Sequence, residues 1–180
     1  RGLRALADEH RFLLVLDEIQ SGLGRTGKLF AFEHEDIRPD GVTIGKALSG
    51  GFYPVSAFLA SDEVMNVFTP GIHGSTYGGN PMACAVASTA LDVLMEEHLI
   101  ERAAELGKHL KFRLESLKTS KVARVRCLGL WAGIDIRPEA GPARPYCHAL
   151  KDRGMLCKDT HQQTIRLAPP LVITREQLDW

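Results

Sequence analysis

Apolar positions along the chain change period several times, and each change marks an element. Leu3, Leu6 and Ala7 fall on one face of a helix tail that runs to about His10. Phe12-Leu13-Leu14-Val15-Leu16 is a continuous apolar run, the pattern of a parallel strand buried on both faces. Residues 21–27 are too rich in glycine for anything but a loop. Pro39-Asp40 turns the chain into a second apolar run, Gly41-Val42-Thr43-Ile44-Gly45, and residues 55–60 predict a third strand. Ser61-Asp62-Glu63 opens a short helix. Asn80 followed by Pro81 starts a longer one, because Asn caps and Pro fits the first helical position. Ala83, Val86, Ala87, Leu91 and Leu94 carry that helix, and Leu99, Ala103, Leu106, Leu110 and Leu114 resume helical spacing after a kink expected near His98. Residues 130–136 then predict a strand, residues 145–153 a helix stopped by Gly154, and residues 155–158 and 164–167 two more strands. This last region is expected to form a β-β-α-β-β-like unit with its sheet on one side and helices on the other.

Two charged residues stand at the ends of predicted strands. Asp17 closes the first apolar run, and Lys46 follows the second, 29 positions later. Such positions point into the crevice where α/β sheets bind ligands. An amine and a carboxylate placed there suit pyridoxal phosphate (PLP): the amine can form a Schiff base with the aldehyde, and the carboxylate can keep the pyridine nitrogen protonated. Taken singly, each is also an ordinary charge at a strand mouth.

Three segments narrow the choice. Leu14-Val15-Leu16-Asp17-Glu18-Ile19-Gln20-Ser21-Gly22-Leu23-Gly24-Arg25-Thr26-Gly27 resembles the strand and loop that hold the pyridine ring in class III aminotransferases. Gly45-Lys46-Ala47-Leu48-Ser49-Gly50-Gly51 resembles the family's lysine segment, and His73-Gly74-Ser75-Thr76-Tyr77-Gly78-Gly79-Asn80-Pro81 its phosphate-binding turn. Within the family, Tyr53-Pro54-Val55-Ser56, Gly74-Ser75-Thr76-Tyr77 and the stretch Ile165-Arg166-Leu167-Ala168-Pro169-Pro170-Leu171-Val172-Ile173 are most similar to the ornithine-using branch. The acetylornithine and 4-aminobutyrate branches share the catalytic motifs and fit less well around Tyr53 and the final strand.

The resemblance implies an α/β fold, the C-terminal part of a PLP-dependent transferase of fold type I. Residues 1–97 would be the end of its large domain and residues 98–180 a small α+β domain, truncated at its end. It implies Lys46 as the Schiff-base lysine and general base, Asp17 at the pyridinium nitrogen, and Gln20 beside the ring's phenolic oxygen. Ser75 and Thr76 would be phosphate ligands near a helix N-terminus, on a turn that reaches into the neighbouring subunit's site and so implies a homodimer or higher assembly. Arg166, a cation on an otherwise apolar strand, would take the substrate α-carboxylate; an internal salt bridge is the alternative. The expected reaction moves the side-chain amine of L-ornithine to a 2-oxo acid such as 2-oxoglutarate, giving glutamate 5-semialdehyde and glutamate. Alternatives are another ω-amino substrate, or a non-catalytic remnant that pairs with a separately encoded N-terminal half. Arg25 is expected to brace its own loop, and His73 to pack rather than react. Gly22-Leu23-Gly24 has no helix-forming stretch after it and fails as a dinucleotide fingerprint.

Composition adds limits. Lys plus Arg equal Asp plus Glu at 22 each, so nothing points to nucleic acid or an anionic membrane as a partner. The uncharged stretch from 65 to 91 is broken by Pro70, Gly71, Gly74, Gly78, Gly79 and Pro81 and is not a bilayer span. Cys84, Cys127, Cys147 and Cys157 show no C-x-x-C pairing or zinc pattern, so reduced thiols and a cytoplasmic setting are expected, or the mitochondrial matrix if the source is eukaryotic. Arg1 falls inside a predicted helix, and the capping box Thr174-Arg175-Glu176-Gln177 precedes the last residue by only three positions. A piece of a longer chain is therefore expected.

Overall fold

The first apolar run forms a much shorter strand than its sequence predicts. The structure, a computed structural model, describes all residues 1–180. Helix α1 (Gly2–His10) ends where Arg11 turns into the left-handed region, and strand β1 covers only Val15–Asp17. It pairs in parallel with β2 (Gly41–Ile44), which pairs antiparallel with β3 (Ala57–Ala60), in the order β1-β2-β3. The expectation of two-sided burial for the first run is not met. Leu14 is buried, but Phe12, Leu13 and Val15 are 48%, 59% and 49% exposed. Two-sided burial of a parallel strand comes from crossover helices on both faces. Here β1 is an edge strand, and the crossover to β2 contains only a 3-10 turn, Ala31–Glu35. The central strand β2 does bury Val42 and Ile44.

The parallel pair is clamped at its start by Asp40. Its carboxylate accepts hydrogen bonds from the Leu14 backbone N–H at 2.7 Å and from Arg4 Nη1 at 2.6 Å, while the Asp40 N–H donates to the Leu14 carbonyl at 2.9 Å. Arg4 is in turn paired with Asp8 one helical turn on, at 2.7 Å. After the short helix α2 (Asp62–Met65), helix α3 (Pro81–Glu96) starts as its sequence predicts, with Asn80 Oδ1 accepting the Ala83 N–H at 2.9 Å. It packs against the 3-10 turn Lys46–Ser49 that follows β2. His98, at φ 51°, breaks the helix where a kink is expected, and α4 (Leu99–Glu115) follows.

The chain divides into two units: Arg1–Gly24 with Lys28–Leu99, and Arg25–Gly27 with Ile100–Trp180. The second unit holds β4 (Val122–Leu128), β5 (Trp131–Ile136), α5 (Arg144–Lys151), β6 (Lys158–Thr160), β7 (Thr164–Leu167) and α6 (Arg175–Asp179). Its sheet is antiparallel throughout, in the order β4-β5-β7-β6. Alternate residues Ala132, Ile134 and Ile136 of β5 face a core built with Leu106 and Leu110 of α4, Cys147 of α5 and Ile165 of β7. Helices thus cover one face, as the β-β-α-β-β pattern predicts. Two details differ. Strand β4 escapes the apolar pattern because Arg124 and Arg126 occupy its exposed positions. Strand β6 starts at Lys158 rather than at 155, because the Met155 N–H is taken by the Leu150 carbonyl of α5 at 2.9 Å and cannot join the ladder.

The short segment Arg25–Gly27 lies in backbone contact with the β4–β5 turn. Gly129, at φ 56°, has no room for a Cβ, which would collide with the backbone of Thr26 and Arg25. Gly107 of α4 is equally excluded by Gly129. No helix of the chain is long and apolar enough to cross a membrane.

Hydrogen bonds from Arg4 and from the Leu14 backbone hold the Asp40 carboxyl below the usual carboxylate range. A depressed folded-state pKa adds stability above the unfolded value and loses it as pH falls through the folded value. Asp40→Asn is expected to cost about 1 kcal/mol at neutral pH. The deficit relative to the unmodified chain should shrink as pH drops below about 4, the ordinary carboxylate pKa. Denaturant unfolding at several pH values checks this; a deficit independent of pH would reject the clamp.

Candidate active site

Parallel pairing brings the C-terminal ends of β1 and β2 to one edge. Asp17 is the last residue of β1, opposite Thr43, and its Oδ1 accepts the Ile19 N–H at 3.0 Å and the Thr43 hydroxyl at 3.4 Å. Strand β2 ends at Ile44, and two residues on Lys46 enters the left-handed region at φ 46°. That conformation is uncommon for a residue with a Cβ and stores about 1–3 kcal/mol. The Ser49 hydroxyl, donating to the Lys46 carbonyl at 2.7 Å, helps hold it. Lys46 Nζ donates to Gln20 Oε1 at 2.6 Å. The structure therefore joins Lys46 and Gln20 directly and sets Asp17 at the same sheet edge.

Glu18 escaped the sequence reading. Between the exposed Asp17 and the loop, its side chain is only 4% exposed. Its two oxygens accept the Ser21 hydroxyl at 2.6 Å and the backbone N–H groups of Ala31 and Phe32 at 3.1 and 3.0 Å. The carboxylate ties the start of the crossover, at Ser21, to its middle, at Ala31 and Phe32. The acidic pair Asp17-Glu18 alone carries no signal for this, because the donors to Glu18 become visible only once the crossover folds back on it.

Ser75 and Thr76 lie elsewhere in the same unit. Both are exposed, on a stretch without helix or strand, and the Ser75 hydroxyl accepts the Gly78 N–H at 3.0 Å. Lys46 opens on a cleft of about 580 Å³ walled by Tyr53, Pro54, Val55 and Ser56. Ser75 lines a second cleft, of about 950 Å³, that shares this wall. No hydrogen bond joins Ser75 or Thr76 to Lys46 within the chain. His73 packs edge-on against Phe68, their ring centroids 5.4 Å apart, which matches its expected packing role.

In the second unit, Arg166 lies on β7 with Gly133 and Lys158 as its cross-strand partners. The carboxylate on this face, Asp135, is already engaged: its Oδ1 takes Arg126 Nη2 and the Thr164 hydroxyl, each at 2.7 Å. The Arg126 bond is the main reason that the Asp135 pKa is lowered. Arg166 forms no ion pair within the chain. Arg25 overturns an expectation. It does not brace its own loop; its Nη1 donates to the Leu130 and Pro169 carbonyls at 2.9 and 2.6 Å, and burial lowers its pKa.

The donor set at the β1–β2 edge fits PLP. A primary amine, a carboxylate and a side-chain amide are the groups its aldehyde, ring nitrogen and phenolic oxygen call for. No cluster of His, Cys, Asp or Glu suited to a metal ion is present.

Comparison with known proteins agrees with this donor set. The family profile "Aminotransferase class-III" matches residues 1–180. The chain is 56% identical to an ornithine aminotransferase of Bordetella pertussis over 180 residues, all of this chain and 44% of that protein. Among solved structures, Plasmodium falciparum ornithine delta-aminotransferase superposes with a TM-score of 0.93 at 45% identity, over 99% of this chain and 46% of that one. An acetylornithine aminotransferase from Elizabethkingia anophelis gives 0.89 at 51% identity, over 97% and 44%. The chain thus spans less than half the length of the relatives it matches.

Glu18 supplies a test of how the edge is built. Glu18→Ala leaves two half-buried backbone N–H groups without their acceptor and should destabilise the first unit by about 1–3 kcal/mol. Glu18→Gln, which keeps an acceptor oxygen, should recover part of that. Thermal unfolding of the two variants reads the difference; equal losses would remove the hydrogen-bonding account.

Proposed function

The chain belongs to the class III aminotransferases, and from that premise we propose that it is the lysine-bearing part of a PLP-dependent ornithine δ-aminotransferase. The assembled enzyme moves the side-chain amine of L-ornithine to 2-oxoglutarate, giving glutamate 5-semialdehyde and glutamate. The observation that carries this reading is the Lys46–Gln20 hydrogen bond beside Asp17 at the shared strand edge. Similarity to ornithine aminotransferases supports the choice of substrate.

Each residue has a role that its chemistry allows. Lys46 Nζ would anchor the cofactor through its aldehyde and, once displaced by the substrate amine, would take the proton from the substrate carbon that bears that amine. Asp17 keeps a proton on the ring nitrogen, and Gln20 holds the lysine amine before loading and lies beside the phenolic oxygen after it. When bound, PLP supplies the electron sink. Ser75 and Thr76 serve the phosphate of a second subunit, which agrees with Ser75 lining a different cleft from the one on which Lys46 opens and makes the working assembly at least a homodimer. Arg166, unpaired in the chain, takes the α-carboxylate that both substrates share. The four thiols are free, which suits a reducing compartment such as the cytoplasm or the mitochondrial matrix. The likeness to an acetylornithine aminotransferase supports a second reading, an N-acylated ω-amino donor at the same site. Comparing turnover of ornithine and acetylornithine separates the two.

Borohydride reduction of the PLP-loaded enzyme should place the pyridoxyl label on Lys46, read by peptide mass spectrometry. Label on another lysine would reject the assignment. Asp17→Asn should keep PLP bound yet cut turnover by orders of magnitude, because a neutral partner cannot hold the ring's proton.

The 180-residue chain alone should not transaminate ornithine. Its β1 edge is unpaired, and Phe52, Ile72 and Tyr77 are 79%, 63% and 77% exposed, so it needs a complementary segment and a second subunit. A monodisperse preparation of this chain with ornithine transaminase activity would overturn that expectation; restored activity on adding the rest of a longer relative would support it.

A further inference from the structure

Arg25 sits in the glycine-rich loop, yet residues Arg25–Gly27 belong to the second unit while the residues on both sides belong to the first. One guanidinium nitrogen, Nη1, donates to both the Leu130 and the Pro169 carbonyls, and the Leu130 N–H returns a bond to the Arg25 carbonyl at 3.1 Å. Leu130, fully buried, immediately precedes β5, and Pro169 lies two residues past β7. These strands are antiparallel neighbours, with Ala132 opposite Leu167 and Gly133 opposite Arg166. Both carbonyls therefore stand at the end of the ladder nearest Arg166.

That end has few other handles. Pro169 and Pro170 carry no N–H, so the backbone leaving β7 can be held there only through its carbonyls. The Ile173 N–H takes the Pro170 carbonyl at 3.1 Å, and Arg25 takes that of Pro169. No carboxylate accompanies the Arg25 guanidinium, and burying a charge against carbonyl dipoles alone is costly. A segment that only needed tying down already has the backbone bond from Leu130. The charged donor, one nitrogen of which bridges the Leu130 and Pro169 carbonyls, adds one thing to it, a fixed position for the exit of β7.

We propose that Arg25 is a positioning residue for the substrate carboxylate: it fixes the strand end that aims Arg166. Because Arg25 follows Gln20 by five residues on one loop, the segment that partners the lysine also sets the carboxylate anchor. This rests on the reading of Arg166 as that anchor. A misplacement of about 1 Å in such a group can cost up to about a hundredfold.

The test uses the assembled holoenzyme and two variants, Arg25→Lys, which keeps the charge and loses the planar guanidinium that places Nη1 between the two carbonyls, and Arg25→Gln, which keeps a donor and loses the charge. Kinetics are measured with 2-oxoglutarate and with a primary amine donor that has no carboxylate. The expected result is a rise of about tenfold or more in the 2-oxoglutarate KM, a smaller change in kcat and an unchanged KM for the carboxylate-free amine. In an Arg166→Ala background, Arg25→Lys should have no further effect on that KM. Equal shifts for both substrates, additive effects in the double variant, or a lowered Tm with unchanged KM would each overturn the proposal. Failure of both Arg25 variants to fold would also overturn it, making the residue a folding element. If Arg166→Ala alone leaves the KM unchanged, the carboxylate-anchor reading fails. If Arg166→Ala raises it and Arg25→Lys does not, only the positioning role fails.

Discussion

The parallel register of β1 and β2 is the constraint on which the candidate site depends. Parallel neighbours finish at the same edge, so Asp17 at the end of one and Lys46 just past the other are delivered together without any contact between their own side chains. Asp40 fixes where that register begins, by accepting the Leu14 N–H and returning its own to the Leu14 carbonyl. At the far end, the Glu18 N–H donates to the Thr43 carbonyl at 3.0 Å and carries the pairing one residue past Asp17. A parallel connection has to be long. This one crosses back without a regular helix, and the inward carboxylate of Glu18 gathers it by holding Ala31 and Phe32.

Much of this was legible because local chemistry and tertiary role coincide. Asn80-Pro81 caps a helix in any context, the alternation of Ala132, Ile134 and Ile136 is a one-sided strand, and three motifs in order identify the Lys46 edge. The misses share a cause: each depends on a partner that the local pattern does not reveal. Strand β4 hides behind Arg124 and Arg126, whose exposed positions matter only once β5 lies beside them. The start of β6 moves because Leu150 captures the Met155 N–H. Glu18 and Arg25 read as loop polarity. One turned out to be a buried brace for the crossover, and the other a donor to carbonyls 105 and 144 positions away.

The misjudged run of residues 12–16 is instructive in another way. A continuous apolar pattern describes the layers for which a strand is built, not the layers present. In relatives more than twice as long, other parts of the molecule are available to cover such a strand. In these 180 residues Phe12, Leu13 and Val15 face solvent. The hydrophobic term that would favour burying them is roughly 25 cal/mol per Å² of apolar surface. It is therefore unspent in this chain and available to a complementary segment.

The residues assigned to chemistry are also those that break local rules. Lys46 holds a left-handed backbone that a glycine would adopt without strain. Arg166 stands unpaired on a face where the other arginine in register, Arg126, has its carboxylate. Arg25 keeps a half-buried charge against carbonyls alone. Each departure carries a cost of order 1 kcal/mol or more, only partly offset by the Ser49 bond to Lys46 and the carbonyl bonds to Arg25. Such costs persist where a group must stay available for something that arrives later. On the proposed reading, that is a cofactor for Lys46 and a carboxylate for Arg166. For Arg25 the return lies in the geometry of the strand that it holds, which is why its effect should be visible in substrate affinity rather than in stability alone.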